Sequence, residues 1–122
     1  MAHSPGFLTL VNDAKSRVKE IDIEGYKKML GSGDAAVLVD VREDHEFAAG
    51  HVKGAVHLSK GIIERDVEAK YPEKDTTLVL YCGGGYRSAL AADALRQMGY
   101  SHAISLEGGW RAYQAAGLPI EK

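Results

Sequence analysis

Apolar residues recur with two alternating periods along the chain, and the alternation predicts strands separated by helices. Phe7, Leu10, Val11, Ala14 and Val18 share one side of a predicted helix over residues 7–18. Before it, residues 1–6 read as a loose end, because Ser4-Pro5-Gly6 resists regular structure. Lys19-Glu20-Ile21 follows as a short edge strand. Asp22 is a candidate N-cap for a helix carrying Ile23, Tyr26 and Leu30, closed by Gly31 and a Ser32-Gly33-Asp34 turn. Residues 35–41 form a near-continuous apolar, β-branched run, the pattern of a strand buried on both faces. Residues 43–49 are helical and end at Gly50, and Ala55-Val56-His57-Leu58 is another short strand. A helix over 62–70 is stopped by Tyr71-Pro72, and residues 77–81 form a second buried strand. A helix over 88–98 follows, with Leu90, Ala91, Ala94, Leu95 and Met98 on one side and Gly99 at its end. A strand over 102–106 and a helix over 110–116 complete the pattern. This order predicts an α/β fold, doubly wound, with a mostly parallel central sheet of about five strands and helices on both faces. Such sheets bind ligands beyond the carboxyl ends of their strands.

Composition narrows the class. The 122 residues are 45% apolar and 26% charged, which suits one compact domain spanning residues 1–122. The formal net charge of -2 lacks the basic excess of a phosphate-tracking nucleic-acid binder. The basic residues Lys15, Arg17, Lys19, Lys27 and Lys28 alternate with Glu20, Asp22 and Glu24, so they read as a solvated face. The longest apolar stretches, 35–39 and 78–82, are far short of the ~20 residues that span a membrane. Phe7 to Val11 is too short for the core of a signal peptide. A single cysteine excludes an intrachain disulfide, and an unpaired thiol suits a reducing compartment, so a cytoplasmic location is expected. The histidines at 3, 45, 51, 57 and 102 have no metal-ligand spacing, so no metal site is expected.

That cysteine carries the chemistry. Cys82 stands at the carboxyl end of a buried strand and runs straight into Gly83-Gly84-Gly85-Tyr86-Arg87. Three residues without Cβ let the loop curl tightly, so that successive N–H groups form an anion-binding nest. The helix beginning near Ser88 adds its positive end, and Arg87 adds a fixed charge at the rim. Each feature favours thiolate over thiol and makes Cys82 a candidate nucleophile with affinity for anions.

These residues resemble the rhodanese family of sulfurtransferase homology domains. Leu38-Val39-Asp40-Val41-Arg42-Glu43, with Glu46-Phe47 and residues 50–57, is similar to the family's first signature. Residues 82–87 resemble its active-site loop, and Leu106-Glu107-Gly108-Gly109-Trp110 with Gly117-Leu118-Pro119 its closing signature. The resemblance implies a double displacement. Cys82 takes a sulfane sulfur from a donor such as thiosulfate, and the N–H groups of Gly83 through Arg87 hold the resulting persulfide. A thiol or cyanide then accepts the sulfur, and the resemblance implies no metal, nucleotide or organic cofactor. Related phosphatases carry a loop one residue longer, whereas arginine here already stands at position 87 and Ser88 follows it. A cysteine phosphatase or arsenate reductase is therefore a second reading, and a persulfide carrier that serves a partner protein is a third.

The resemblance assigns further residues. Asp40 and Arg42 are expected to form an ion pair bracing the loop. Lys60 stands where relatives carry a basic residue near the pocket, although Ser59 replaces their preceding proline. Tyr86 either walls the pocket or points to solvent. His51 is expected as a hydrogen-bonding scaffold residue and Trp110 as core packing.

Overall fold

The computed structural model describes residues 3–33 and 35–122. Its elements run α1 (Pro5–Lys15), β1 (Lys19–Ile21), α2 (Ile23–Ser32), β2 (Val37–Asp40), α3 (Asp44–Ala49), β3 (His51–Val52), β4 (Val56–His57), α4 (Ile63–Lys70), β5 (Leu78–Tyr81), α5 (Tyr86–Gln97), β6 (Ala103–Leu106), α6 (Gly109–Ala115) and β7 (Ile120–Glu121). Five strands form a parallel sheet in the order β1-β6-β5-β2-β4. The register aligns Asp40 of β2 with Tyr81 of β5, so the ends of the two buried strands lie side by side.

Side-chain alternation along the central strands fills a core on each face of the sheet. Leu78 and Leu80 of β5 join Ile63 and Val67 of α4 and Ala91, Ala92 and Leu95 of α5 in one core. Val79 and Tyr81 point to the other, where they meet Tyr26 of α2, Tyr113 of α6 and Leu106. This is the doubly wound arrangement that the hydrophobic pattern predicts. Among the described residues no helix is long and apolar enough to cross a membrane.

The differences from the predicted elements have local causes. Residues 5 and 6 belong to α1 and are not part of a loose end; Met1 and Ala2 lie outside the described residues. Proline in the first helical turn loses no hydrogen bond, since that N–H has no acceptor in the helix, and its fixed φ suits the start. The helix also stops at Lys15, before Val18. Asp22 caps α2 as expected, its carboxylate accepting from Gly25 N at 2.8 Å. That helix passes through Gly31 and ends on Gly33, because one interior glycine costs only about 1 kcal/mol. Ser32 is thus helical, and Asp34 of the expected turn lies outside the described residues. A two-stranded antiparallel pair, β3 with β7, has no counterpart in the prediction. Each strand has two residues, too few to show a period of two.

Candidate active site

Cys82 follows β5 directly, and its side chain is buried (1% exposed). The chain then turns through the glycines, and Gly85 takes φ +98° as the N-cap of α5. Two backbone donors converge on the sulfur: Gly85 N at 3.1 Å and Ser88 N at 3.4 Å. The thiol donates to Ser88 Oγ at 3.6 Å, and that hydroxyl is itself 2.8 Å from Ser105 Oγ. Helix α5 starts at Tyr86, two residues earlier than the pattern predicts, which brings Ser88 into its first turn and against the sulfur. Of residues 83–87, whose N–H groups are expected to form the nest, Gly85 donates to the sulfur, and the second donor, Ser88, comes from the helix. Ser88 and Ser105 were legible only as polar positions in otherwise apolar segments.

The loop is clamped from behind by the last helix. Trp110 N donates to Cys82 O at 2.7 Å and Arg111 N to Gly83 O at 3.2 Å. This approach requires the missing Cβ of Gly109, which has φ +51°. A Cβ there would overlap the Cys82 carbonyl oxygen and lie 3.1 Å from the carbonyl carbons of Cys82 and Gly83. The Gly108-Gly109 turn thus shapes the cysteine loop from the far side of the sequence.

Arg87 does not stand alone at the rim. Glu46 of α3 accepts from its Nη1 at 2.7 Å and Nη2 at 3.1 Å, a two-pronged pair. The Arg87 guanidinium pulls the Glu46 carboxyl down from 4.5 to about 2 against a smaller opposing effect of burial. Glu46 also accepts from Glu43 N at 2.9 Å, which ties the pair to the start of α3. The charge of Arg87 is in large part balanced.

Asp40 and Arg42 form the expected ion pair, fully buried and with contacts at 2.8 and 3.0 Å. Asp40 also accepts from Tyr81 OH at 2.7 Å, and Arg42 donates to Gly50 O at 2.7 Å. These bonds go to the β3 turn and β5 and not to residues 82–87. The pair reaches the loop through Trp110, whose ring lies 4.7 Å from the Arg42 guanidinium carbon and whose N–H holds Cys82 O. His51 has the scaffold role expected of it: Nδ1 is 2.9 Å from Phe47 O and the two rings stack at 3.6 Å.

A cavity of about 340 Å³ opens over the cysteine. Cys82, Gly83, Gly84 and Arg87 line it from the loop, and Arg111 from α6. Tyr86 also lines it, which decides between the two readings of that residue. His3 and Phe7, from the start of the chain, complete the lining; the His3 ring is 4.5 Å from Tyr86 in an edge contact. Lys60 is not brought to this cavity; its backbone N–H extends the sheet by donating to Val41 O at 3.0 Å. No local pattern brings Arg111 of α6 together with Phe7 of α1 and His3 just before it, because they lie far apart in the chain.

The family model described as "Rhodanese-like domain" matches residues 22–116. A protein named sulfurtransferase from Allochromatium vinosum is 36% identical over 103 residues, covering 84% of this chain and 94% of its own. Among solved structures, RPA3614 of Rhodopseudomonas palustris superposes with a TM-score of 0.87 at 29% identity, covering 99% of this chain and 98% of its own. It is described as a protein of unknown function and a "possible tyrosine phosphatase". The human single-domain sulfurtransferase TSTD1 superposes with a TM-score of 0.72 at 27% identity, covering 80% of this chain and 96% of its own.

Proposed function

Because the chain belongs to the rhodanese-like domain family, we propose that it is a sulfurtransferase working through a persulfide on Cys82. The donor is a sulfane-sulfur anion such as thiosulfate, and the acceptor is a thiol, with cyanide serving in the assay. One observation carries this reading: a buried sulfur at a strand end receives N–H groups from Gly85 and Ser88 and faces an open cavity. Those donors are placed to stabilise the negative charge that the sulfur carries as it attacks and as it leaves.

The chemistry needs nothing further from the chain. The Cys82 thiolate attacks the outer sulfur of thiosulfate, and a new S–S bond forms as the donor's S–S bond breaks. The electron pair leaves on sulfite, already a stable anion, so no general acid is required. An acceptor thiolate then attacks the outer sulfur of the persulfide, and Cys82 leaves as the thiolate held by the same two N–H groups.

The description of the Rhodopseudomonas palustris structure favours phosphate-ester hydrolysis as a second reading. Two features weigh against it. Only four residues separate Cys82 from Arg87, and Arg87 is engaged by Glu46. Among the described residues no aspartate or glutamate lines the cavity to protonate a leaving alkoxide.

Turnover separates the readings. With thiosulfate and cyanide the protein is expected to release thiocyanate, and Cys82→Ser is expected to reduce the rate to background. Cys82-dependent hydrolysis of an aryl phosphate, without thiocyanate formation, would overturn the proposal. A persulfide that forms but passes only to a protein acceptor would make the domain a carrier.

A further inference from the structure

We propose that His3 is the base that takes the proton of a thiol acceptor as the acceptor attacks the Cys82 persulfide. The inference rests on the sulfur-transfer reading above and concerns its second half. An acceptor that arrives as thiolate needs nothing further from the chain, whereas one that arrives as thiol must lose its proton to attack. Alkyl thiols are mostly protonated at neutral pH.

Among the described residues that line the cavity over Cys82, His3 is the one suited to that task. The rest of the lining is glycine, Phe7, Tyr86, Arg87 and Arg111, beside the cysteine itself. Of these side-chain types only histidine and cysteine ordinarily exchange a proton near neutral pH, and the cysteine already carries the sulfur. The other histidines stand elsewhere. His51 and His57 each have one ring nitrogen 2.9 Å from a backbone carbonyl and the other near a carboxylate. His45 and His102 line other cavities. Among the described residues neither ring nitrogen of His3 has a hydrogen-bond or ion-pair partner, so both are open to an incoming thiol.

The imidazole is held at the cavity by its neighbours. Its ring centre is 4.5 Å from that of Tyr86, in an edge contact, and 5.4 Å from that of Phe7. The helix that follows it is anchored in turn. Val11 and Ala14 of α1 are buried, and Arg17, just after α1, donates to both oxygens of Asp93 on α5 at 3.1 and 2.8 Å. His3 and α1 precede the segment that the family model matches, so this base is an addition to the shared domain.

Arg111 supplies the complementary charge. Its Nη1 lies 2.9 Å from where a Cβ on Gly84 would stand, directly over the cysteine loop. Arg87 gives both Nη atoms to Glu46, but among the described residues no carboxylate pairs with Arg111. A thiolate formed beside His3 therefore meets a free cation on its way to the persulfide.

The step balances. R–SH gives its proton to the His3 imidazole, and the thiolate sulfur bonds to the outer sulfur of Cys82–S–SH. The S–S bond to Cys82 breaks, and the electron pair leaves on Cys82 Sγ, where the N–H groups of Gly85 and Ser88 receive it. The products are R–S–SH and the Cys82 thiolate, and the imidazolium passes its proton to water. No external oxidant or reductant takes part.

The test loads Cys82 from thiosulfate, removes small molecules and follows the loss of one sulfur from the intact mass after addition of mercaptoethanol or sulfite. Just above neutral pH sulfite is mostly the dianion, with no proton to lose, so it reports discharge that needs no base. His3→Gln and His3→Ala are each expected to lower the ratio of thiol to sulfite discharge rates about a hundredfold, the scale of a lost general base. Added imidazole should restore part of the thiol rate in His3→Ala, because the missing ring leaves room for it. A ratio within about twofold of wild type in both variants overturns the inference and leaves sulfur transfer intact. So does a fall in His3→Ala that imidazole fails to reverse, which would make His3 a wall of the cavity only. No sulfur on wild-type Cys82 after thiosulfate removes the sulfur-transfer reading itself.

Discussion

Replacing Asp40 with alanine is expected to cost about 4–6 kcal/mol of folding stability, most of what a domain of this size holds. The side chain is completely buried and accepts from four donor atoms. It accepts from Arg42 N at 2.9 Å, Arg42 Nε at 3.0 Å, Arg42 Nη2 at 2.8 Å and Tyr81 OH at 2.7 Å. Its removal strands a guanidinium that is only 4% exposed, which costs about 3–5 kcal/mol where one partner of a buried pair is lost. It also leaves the Tyr81 O–H without its acceptor, for about 1 kcal/mol, while Val52 N still donates to that oxygen. Gly50 O and the ring of Trp110 remain beside Arg42, but neither carries a full negative charge. Urea denaturation of Asp40→Ala against wild type measures the loss. The double variant Asp40→Leu with Arg42→Met should recover much of it, because an apolar pair removes the stranded charge. A loss under about 1 kcal/mol in the single variant would show that the pair does not brace the fold.

Gly109→Ala is expected to damage stability and sulfur transfer together. The new methyl group would meet the Cys82 carbonyl, the same oxygen that Trp110 N holds at 2.7 Å. The obstacle is backbone on both sides, so no flexible side chain can move aside. Relief requires α6 to separate from the cysteine loop, which shifts the sulfur relative to Gly85 N and Ser88 N. A displacement near 1 Å at a reacting atom costs about a hundredfold in rate, and the left-handed φ of +51° adds roughly 1–3 kcal/mol of strain. Thiosulfate–cyanide turnover and thermal melting measure the two effects. Gly61→Ala is the control, since that glycine has open space around it and an ordinary φ. Wild-type turnover in Gly109→Ala would contradict the role of the Gly108-Gly109 turn in shaping the site.

Strand and helix order was legible because the signals are long. Leu78 to Tyr81 and Val37 to Asp40 are apolar enough to mark central strands, and Asp22 and Gly50 punctuate the helices where expected. Cys82 and its glycines were legible for a different reason: strand, loop and helix are contiguous in the chain, so spacing alone brings them together. Residues arriving from elsewhere were not. Glu46 stands out in sequence only as part of a signature, yet it determines how much of the Arg87 charge is available. Arg111 lies over the loop because Gly109 lets α6 approach, a contact between distant segments that no local pattern encodes. Phe7 fits the helical apolar period of α1, but a 3.6-residue period says nothing of what that face covers. Lys60, taken from the resemblance, follows β4 without reaching the cavity.

The most direct measurement is the intact mass of the protein after incubation with thiosulfate and removal of small molecules. The mass should rise by one sulfur atom, mapped to the peptide that holds Cys82, while Cys82→Ser gains nothing. An unchanged wild-type mass, or a gain that persists in Cys82→Ser, would contradict a persulfide mechanism at this site.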